Sequence, residues 1–147
     1  MRRDLLDLPV LLLGAASALV DGINAGIRAR GFTDLRPAHG FAFVRLAPSG
    51  ATVVELAEHL GVTKQAASQM ADELVRKGYV ARRPHPSDAR ARLLTLTERG
   101  WACTRAADEA ASEVLRPWAD ALGADQVAAV RAALSALTVP GRIRPTW

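Results

Sequence analysis

With 147 residues and a formal charge of +4, the chain is sized for one domain that buries about two-thirds of its unfolded surface and favours a polyanionic partner. Its single cysteine, Cys103, excludes an intramolecular disulfide and suits a reducing, cytoplasmic setting; the three histidines, at 39, 59 and 85, are spaced unlike metal ligands. No nucleophile with its base, carboxylate pair or metal cluster can be assembled, so the sequence reads as a non-enzyme needing no cofactor.

The apolar run Leu8–Val20 after Met-Arg-Arg imitates a signal peptide, but Asp4 and Asp7 interrupt its approach, Pro9 sits inside it and the pattern continues beyond any cleavage site. The run is also shorter than the roughly 20 apolar residues a bilayer span takes, so no membrane partner is expected. A helix is predicted from Asp7 or Leu8, with Pro9 in its first turn, to about Arg30, where Gly31 closes it. Leu11, Leu12, Ala15, Leu19, Ile23 and Ile27 recur at three and four, yet the first half is apolar nearly all round. Such a helix must be covered, and in so small a chain a second subunit is the expected cover.

Asp34-Leu-Arg-Pro37 starts a second helix, with Phe41, Val44 and Leu46 as its expected buried side and an end before Pro48. Thr52 and Glu55 form a capping box for a third, whose apolar face is Leu56, Ala57 and Leu60. Gly61 ends it, Val62 is placed to plug the space at the turn, and Thr63 opens a fourth helix to about Lys77. On a 3.6-residue period Ala67, Met70, Ala71 and Leu74 face one way, and Thr63, Lys64, Gln65, Ser68 and Gln69 another. A short helix, a glycine turn and a second helix with a polar, almost uncharged face make a helix-turn-helix suited to reading base edges.

After Gly78 the period changes to two. Tyr79–Arg83 and Arg92–Thr97 read as an antiparallel hairpin around a turn-rich loop of about eight residues from Pro84 to Ala91. Between Arg76 and Arg92 lie six cations (Arg76, Lys77, Arg82, Arg83, Arg90 and Arg92) against one anion, Asp88, a net +5 that exceeds the charge of the whole chain. A basic hairpin directly after a helix-turn-helix is a DNA-contacting wing. The alternative, a winged-helix module that binds protein and not an operator, conflicts with that charge, since interface cores are depleted of charged residues. Thr97-Glu-Arg-Gly opens a long helix to about Leu122, with Trp101, Thr104, Ala107, Ala111, Val114, Leu115 and Trp118 as its expected packing side. Pro117 should kink it or end it early. Cys103 is expected as buried filling. Asp125 starts a last helix with Val127, Val130, Leu134 and Leu137 at three and four, stopped by Pro140-Gly141 before a basic tail.

Gly78-Tyr-Val, the paired Arg82-Arg83, Asp88-Ala-Arg90 and Leu94-Thr-Leu-Thr-Glu-Arg-Gly100, with Leu56-Ala and Leu60-Gly-Val-Thr upstream, resemble the MarR (multiple antibiotic resistance regulator) family of winged-helix transcription regulators over nearly the whole chain. The resemblance implies a mainly α fold with a small β-hairpin, and a single domain over 1–147. In it, 8–33 and 98–139 are dimerisation helices, 34–97 the winged helix-turn-helix and 140–147 a tail. It further implies a homodimer on a pseudo-palindromic operator in double-stranded DNA, acting as a repressor. Gln65, Ser68 and Gln69 would face the major groove, with Thr63 and Lys64 near phosphate. Arg82 and Arg83 belong to the basic hairpin. Arg90 would enter the minor groove, with Arg92 as the alternative, and Asp88 would hold the wing's shape through a bond to an arginine. Relatives bind small aromatic or phenolic effectors between the two regions; here Arg36, His39, Phe41 and Trp101 are the residues on offer.

Overall fold

The structure, a computed structural model, describes residues 6–138. Its elements are α1 (Leu8–Ala29), α2 (Pro37–Leu46), α3 (Val53–Leu60), α4 (Lys64–Arg76), β1 (Val80–Pro84), β2 (Arg92–Leu96), α5 (Glu98–Leu122) and α6 (Ala124–Leu137). The expected stop at Pro140-Gly141 and the tail 140–147 lie outside the described residues.

The core gathers small and branched side chains from α2, α3, α4 and the hairpin. Leu46, Leu56, Leu60, Leu74, Tyr79 and Leu94 are all fully buried. Each element is shaped by a local device. Thr52 Oγ1 accepts from Glu55 N while Glu55 Oε2 accepts from Thr52 N at 2.8 Å, the reciprocal cap anticipated for α3. Gly61 closes that helix with φ 63°, a left-handed conformation that costs a residue without Cβ nothing. Thr63 Oγ1 then caps α4 by accepting from Ala66 N. The hairpin is antiparallel, pairing Val80 with Leu96, Arg82 with Leu94 and Pro84 with Arg92. Ala51 extends it through a two-way bridge to Leu94 (3.0 and 2.8 Å), which ties the α2–α3 connection to the wing.

α1 lies along α5 because small residues allow it. A Cβ on Gly26 would stand 2.5 Å from Ala110 Cβ, and one on Gly22 would stand 2.7 Å from Val114 Cγ2. Arg30 fastens the end of this contact, reaching Glu109 at 3.1 Å and Glu113 at 2.7 Å.

Several expectations need correcting. The buried face of α2 is His39, Ala42, Phe43 and Leu46, an unbroken three-and-four stripe; Val44 is exposed and Phe41 half-buried. Val62 does not plug the turn but is exposed, because Ala57 and Ala67 let α3 and α4 approach without it. On α5 the buried set is Gly100, Cys103, Ala106 and Ala110, so Trp101 points away from the core. That helix passes through Pro117 without ending. Tyr79 precedes β1 and its side chain fills the core, while its carbonyl still accepts from Thr97 N at 3.0 Å. Finally, α1 is one helix of 22 residues with a mean hydropathy of 1.7 in its most apolar window, long and apolar enough to cross a bilayer by those criteria. The apolar run thus continues further than the shorter estimate allowed, although its second half is spent on α5.

Candidate nucleic-acid interface

The outer face of α4 carries the expected polar group. Thr63, Lys64, Gln65 and Gln69 are exposed and Ser68 half-buried, while Ala67, Ala71 and Leu74 on the opposite side anchor the helix. With Thr63 satisfying Ala66 N, the neighbouring backbone N–H groups at the helix start remain directed outward, where an anion is favoured.

Between the start of α4 and the wing runs an open groove of about 290 Å³, lined by Thr52, Val53, Val54, Lys64 and Asp88 through Arg92 except Ala89. Lys64 on one wall and Arg90 and Arg92 on the other bring three cations together. The wing loop is held by its own backbone and by Asp88. Asp88 Oδ1 accepts from Arg90 N at 2.9 Å, its carbonyl accepts from Ala91 N, and His85 N donates to Ala91 O. The Asp-x-Arg signature therefore works through the arginine's backbone N–H, not through a guanidinium as expected. This leaves the Arg90 side chain available.

The cations divide by their partners. Arg82 is ion-paired with Asp72 of α4, and Lys77 with Glu73. Lys64, Arg83, Arg90 and Arg92 have no ion pair among the described residues.

The four residues considered for an effector do not line one cavity. Arg36 borders a partly open, mostly apolar cavity of about 100 Å³ between α1, α2 and α5, with Ile27, Phe43, Val44, Cys103 and Ala107. This is smaller than the roughly 150 Å³ that holds a benzene ring. His39 is fully buried and Phe41 uses its carbonyl to accept from His59 Nε2, while Trp101 borders a separate surface hollow with Arg99 and Arg105. Cys103 is buried against the cavity beside Arg36, and burial pushes its thiol up to about 11, so it is not poised as a thiolate.

What sequence reasoning missed is a polar network behind the recognition helix. Glu73 meets Arg36 at 2.6 Å, Lys77 at 2.8 Å and His39 at 3.4 Å. Lys77 Nζ also donates to the Asp34 carbonyl, and Tyr79 and Arg99 both reach the Asp34 carboxylate. Glu73 and Lys77 were readable as a helical i, i+4 pair; their long-range partners carry no local pattern. Asp72, one helical turn beyond Gln69 on the polar stripe, was also readable.

A model described as the MarR family matches residues 34–91. Among solved structures, the apo form of MarR from E. coli is 26% identical with a TM-score of 0.70, covering 90% of this chain and 97% of that one. A mutant of the same E. coli protein, complexed with operator DNA, is 25% identical with a TM-score of 0.73, covering 95% and 99%. RV1404 from Mycobacterium tuberculosis is 26% identical with a TM-score of 0.72, covering 89% and 92%. No curated protein sequence matches the chain.

Proposed function

This chain belongs to the MarR family of winged-helix transcription regulators, and from that premise we propose that it is a cytoplasmic homodimer that represses transcription by binding a pseudo-palindromic operator. The observation that carries the reading is the groove in which Lys64 at the start of α4 faces Arg90 and Arg92 of the wing, none of them in an ion pair among the described residues. Gln65, Ser68 and Gln69 would contact bases, with Thr63 and Lys64 on phosphate. Arg83, Arg90 and Arg92 would supply the wing's charge, and Arg90, freed by the backbone role of Asp88, would be the minor-groove residue. The chain is a regulator and not an enzyme.

The dimer reading, which assigns the regions 8–33 and 98–139 flanking the winged region 34–97 to the subunit contact, is supported by apolar side chains left uncovered on α1, α5 and α6. Leu11 and Leu13 are each 62% exposed and α6 buries none of its residues. A small aromatic effector would have to widen the cavity beside Arg36 to enter, which couples its binding to the position of α2.

The test is a gel-shift series on palindromic duplexes selected from a randomised pool, with half-site centres ~34–36 Å apart. Wild type should select a palindrome. Gln65→Ala or Gln69→Ala should change base preference by about 1–3 kcal/mol per lost contact, and Arg90→Ala should weaken binding to all sequences and reduce the salt slope by about one. Arg90→Ala binding with unchanged affinity and slope would overturn the wing assignment.

A further inference from the structure

Arg82 sits in the basic hairpin and is exposed, but the pairing register places it on the ribbon's packing face. Directly opposed residues of an antiparallel pair share a face of the ribbon, and alternate residues along a strand share it too. Val80, Arg82 and Pro84 therefore lie on one face with Leu96, Leu94 and Arg92, and Arg83 lies on the other with Leu93. Val80 and Leu94 are 2% and 0% exposed, so the face holding Arg82 is the one that packs on the domain. The apolar stem of Arg82 can run over that surface while its head reaches out, and Nη2 meets Asp72 Oδ1 on α4.

Asp72 is placed unusually for an acid. It follows Gln65, Ser68 and Gln69 at steps of three and four residues, so it lies on the recognition stripe one turn further along. Unpaired, its carboxylate would repel the phosphates that the start of the same helix attracts.

We propose that Arg82 is a positioning residue that ties β1 to α4 through Asp72, setting the distance between wing and recognition helix and neutralising the one carboxylate on that stripe. It does not contact phosphate. The proposal rests on the DNA-binding reading above for its consequence, but the tie itself is a property of the free protein. Side-chain exposures of 34% and 56% make the pair a weak stabiliser, as exposed ion pairs generally are. Its effect is on geometry, because wing and helix must meet the duplex together. Lys64, Arg83, Arg90 and Arg92 then remain as the cations that displace counterions.

The test uses Arg82→Met, which keeps the stem and removes the head, with Asp72→Ala and the double variant. Two quantities are read: the dependence of duplex affinity on salt, and hydrogen exchange of the β1–β2 amides in the free protein. Arg82→Met should weaken binding roughly five- to tenfold with an unchanged salt slope, and should cost nothing further once Asp72 is alanine. The hairpin amides should exchange about two- to fivefold faster. A salt slope reduced by about 0.9, with the loss persisting in the Asp72→Ala background, would mean a phosphate contact and overturn the proposal. Unchanged exchange in Arg82→Met would overturn the tie. If wild type selects no duplex while the exchange rates rise as expected, the tie stands and the DNA-binding reading is what fails.

Discussion

The Tyr79 hydroxyl donates to Asp34 Oδ1 at 2.6 Å, joining the segment before α2 to the residue that leaves α4. The ring is fully buried, tilted against Phe43 at 5.7 Å and Phe32 at 6.3 Å between centroids, with the Arg99 guanidinium 4.5 Å above it. Arg99 Nη2 also donates to the Tyr79 hydroxyl at 3.1 Å and to Asp34 Oδ2 at 3.4 Å. Burial raises the phenol, and the bond from Tyr79 holds the Asp34 carboxyl below its usual range. Tyr79→Phe keeps the ring and removes the hydroxyl, deleting its bond to Asp34 together with the one it accepts from Arg99. It should cost about 1.5 kcal/mol, the lower end for a bond to a charged group because Asp34 keeps Arg99 and some solvent. A urea midpoint equal to wild type would show that the hydroxyl contributes nothing.

Glu73 gives the network its acid limb. Its side chain is 23% exposed and its carboxyl is held down at about 2, first by the hydrogen bond from Lys77 and also by His39 and Arg36. A carboxyl with a depressed folded value stabilises the fold above its unfolded value, near 4.5, and that contribution disappears as pH falls from about 4.5 through 2. The loss should be on the order of 2 kcal/mol after allowance for partial exposure. Glu73→Gln should be less stable at pH 7 and should lose less stability than wild type across that window, the remaining slope belonging to Asp34 and Glu55. An acid limb as steep in the variant as in wild type would assign the effect to other carboxylates.

His39 acts in a higher pH window and with a different origin. Its Nδ1 accepts from Arg36 N at 3.0 Å, so the neutral ring carries its proton on Nε2, facing Glu73. Burial, the largest influence, lowers its proton affinity, with Arg36 and Lys77 adding to this and Glu73 opposing it. Here the unfolded chain takes up the proton first. Stability is complete above about 6.5 and declines as pH drops below it, until the lowered folded value is reached. His39→Asn retains a short acceptor for Arg36 N and removes the titration. Urea midpoints at pH 7.5 and 5.5 should differ for wild type and coincide for the variant; a wild type indifferent to this interval would refute the assignment.

The sequence was most legible where a structural device is local. The Thr52–Glu55 cap, the Gly61 turn, the Ala67–Ala71–Leu74 face and the two β-segments each depend on residues within a few positions of one another. The α2 face was misread because Phe41 and Val44 were weighted by hydrophobicity, whereas His39 completes the true stripe with Ala42, Phe43 and Leu46. A buried histidine satisfied by Arg36 N and Glu73 looks polar in sequence and behaves as core. On α5 the expected packing side included Trp101, Leu115 and Trp118, which are exposed, whereas close contact with α1 sets Ala110 opposite Gly26 and Val114 opposite Gly22. The proposed interface followed the same division. The polar stripe of α4 was readable from its period, while the pairing of Arg82 with Asp72 depends on a strand register that composition does not carry.

The uncovered helices give the remaining prediction. On α6, Val130, Leu134 and Leu137 are 49%, 42% and 82% exposed at spacings of four and three, and the helix contributes nothing to the core of the single chain. Burying a leucine of this kind is worth about 1.5–3 kcal/mol, so several together supply a strong drive to associate. Because Leu134 lies outside the core, Leu134→Glu should leave the winged region folded and place a charge in the subunit contact. Sedimentation should then give wild type at about twice 15.7 kDa and the variant at the single-chain mass, with helical circular dichroism preserved. The monomer should also bind a palindromic duplex at least a hundredfold more weakly, because the second half-site is no longer presented at high effective concentration. A wild type that sediments as a single chain would remove the dimer from the proposed mechanism. A Leu134→Glu variant that still sediments as a dimer would place the contact on the exposed half of α1.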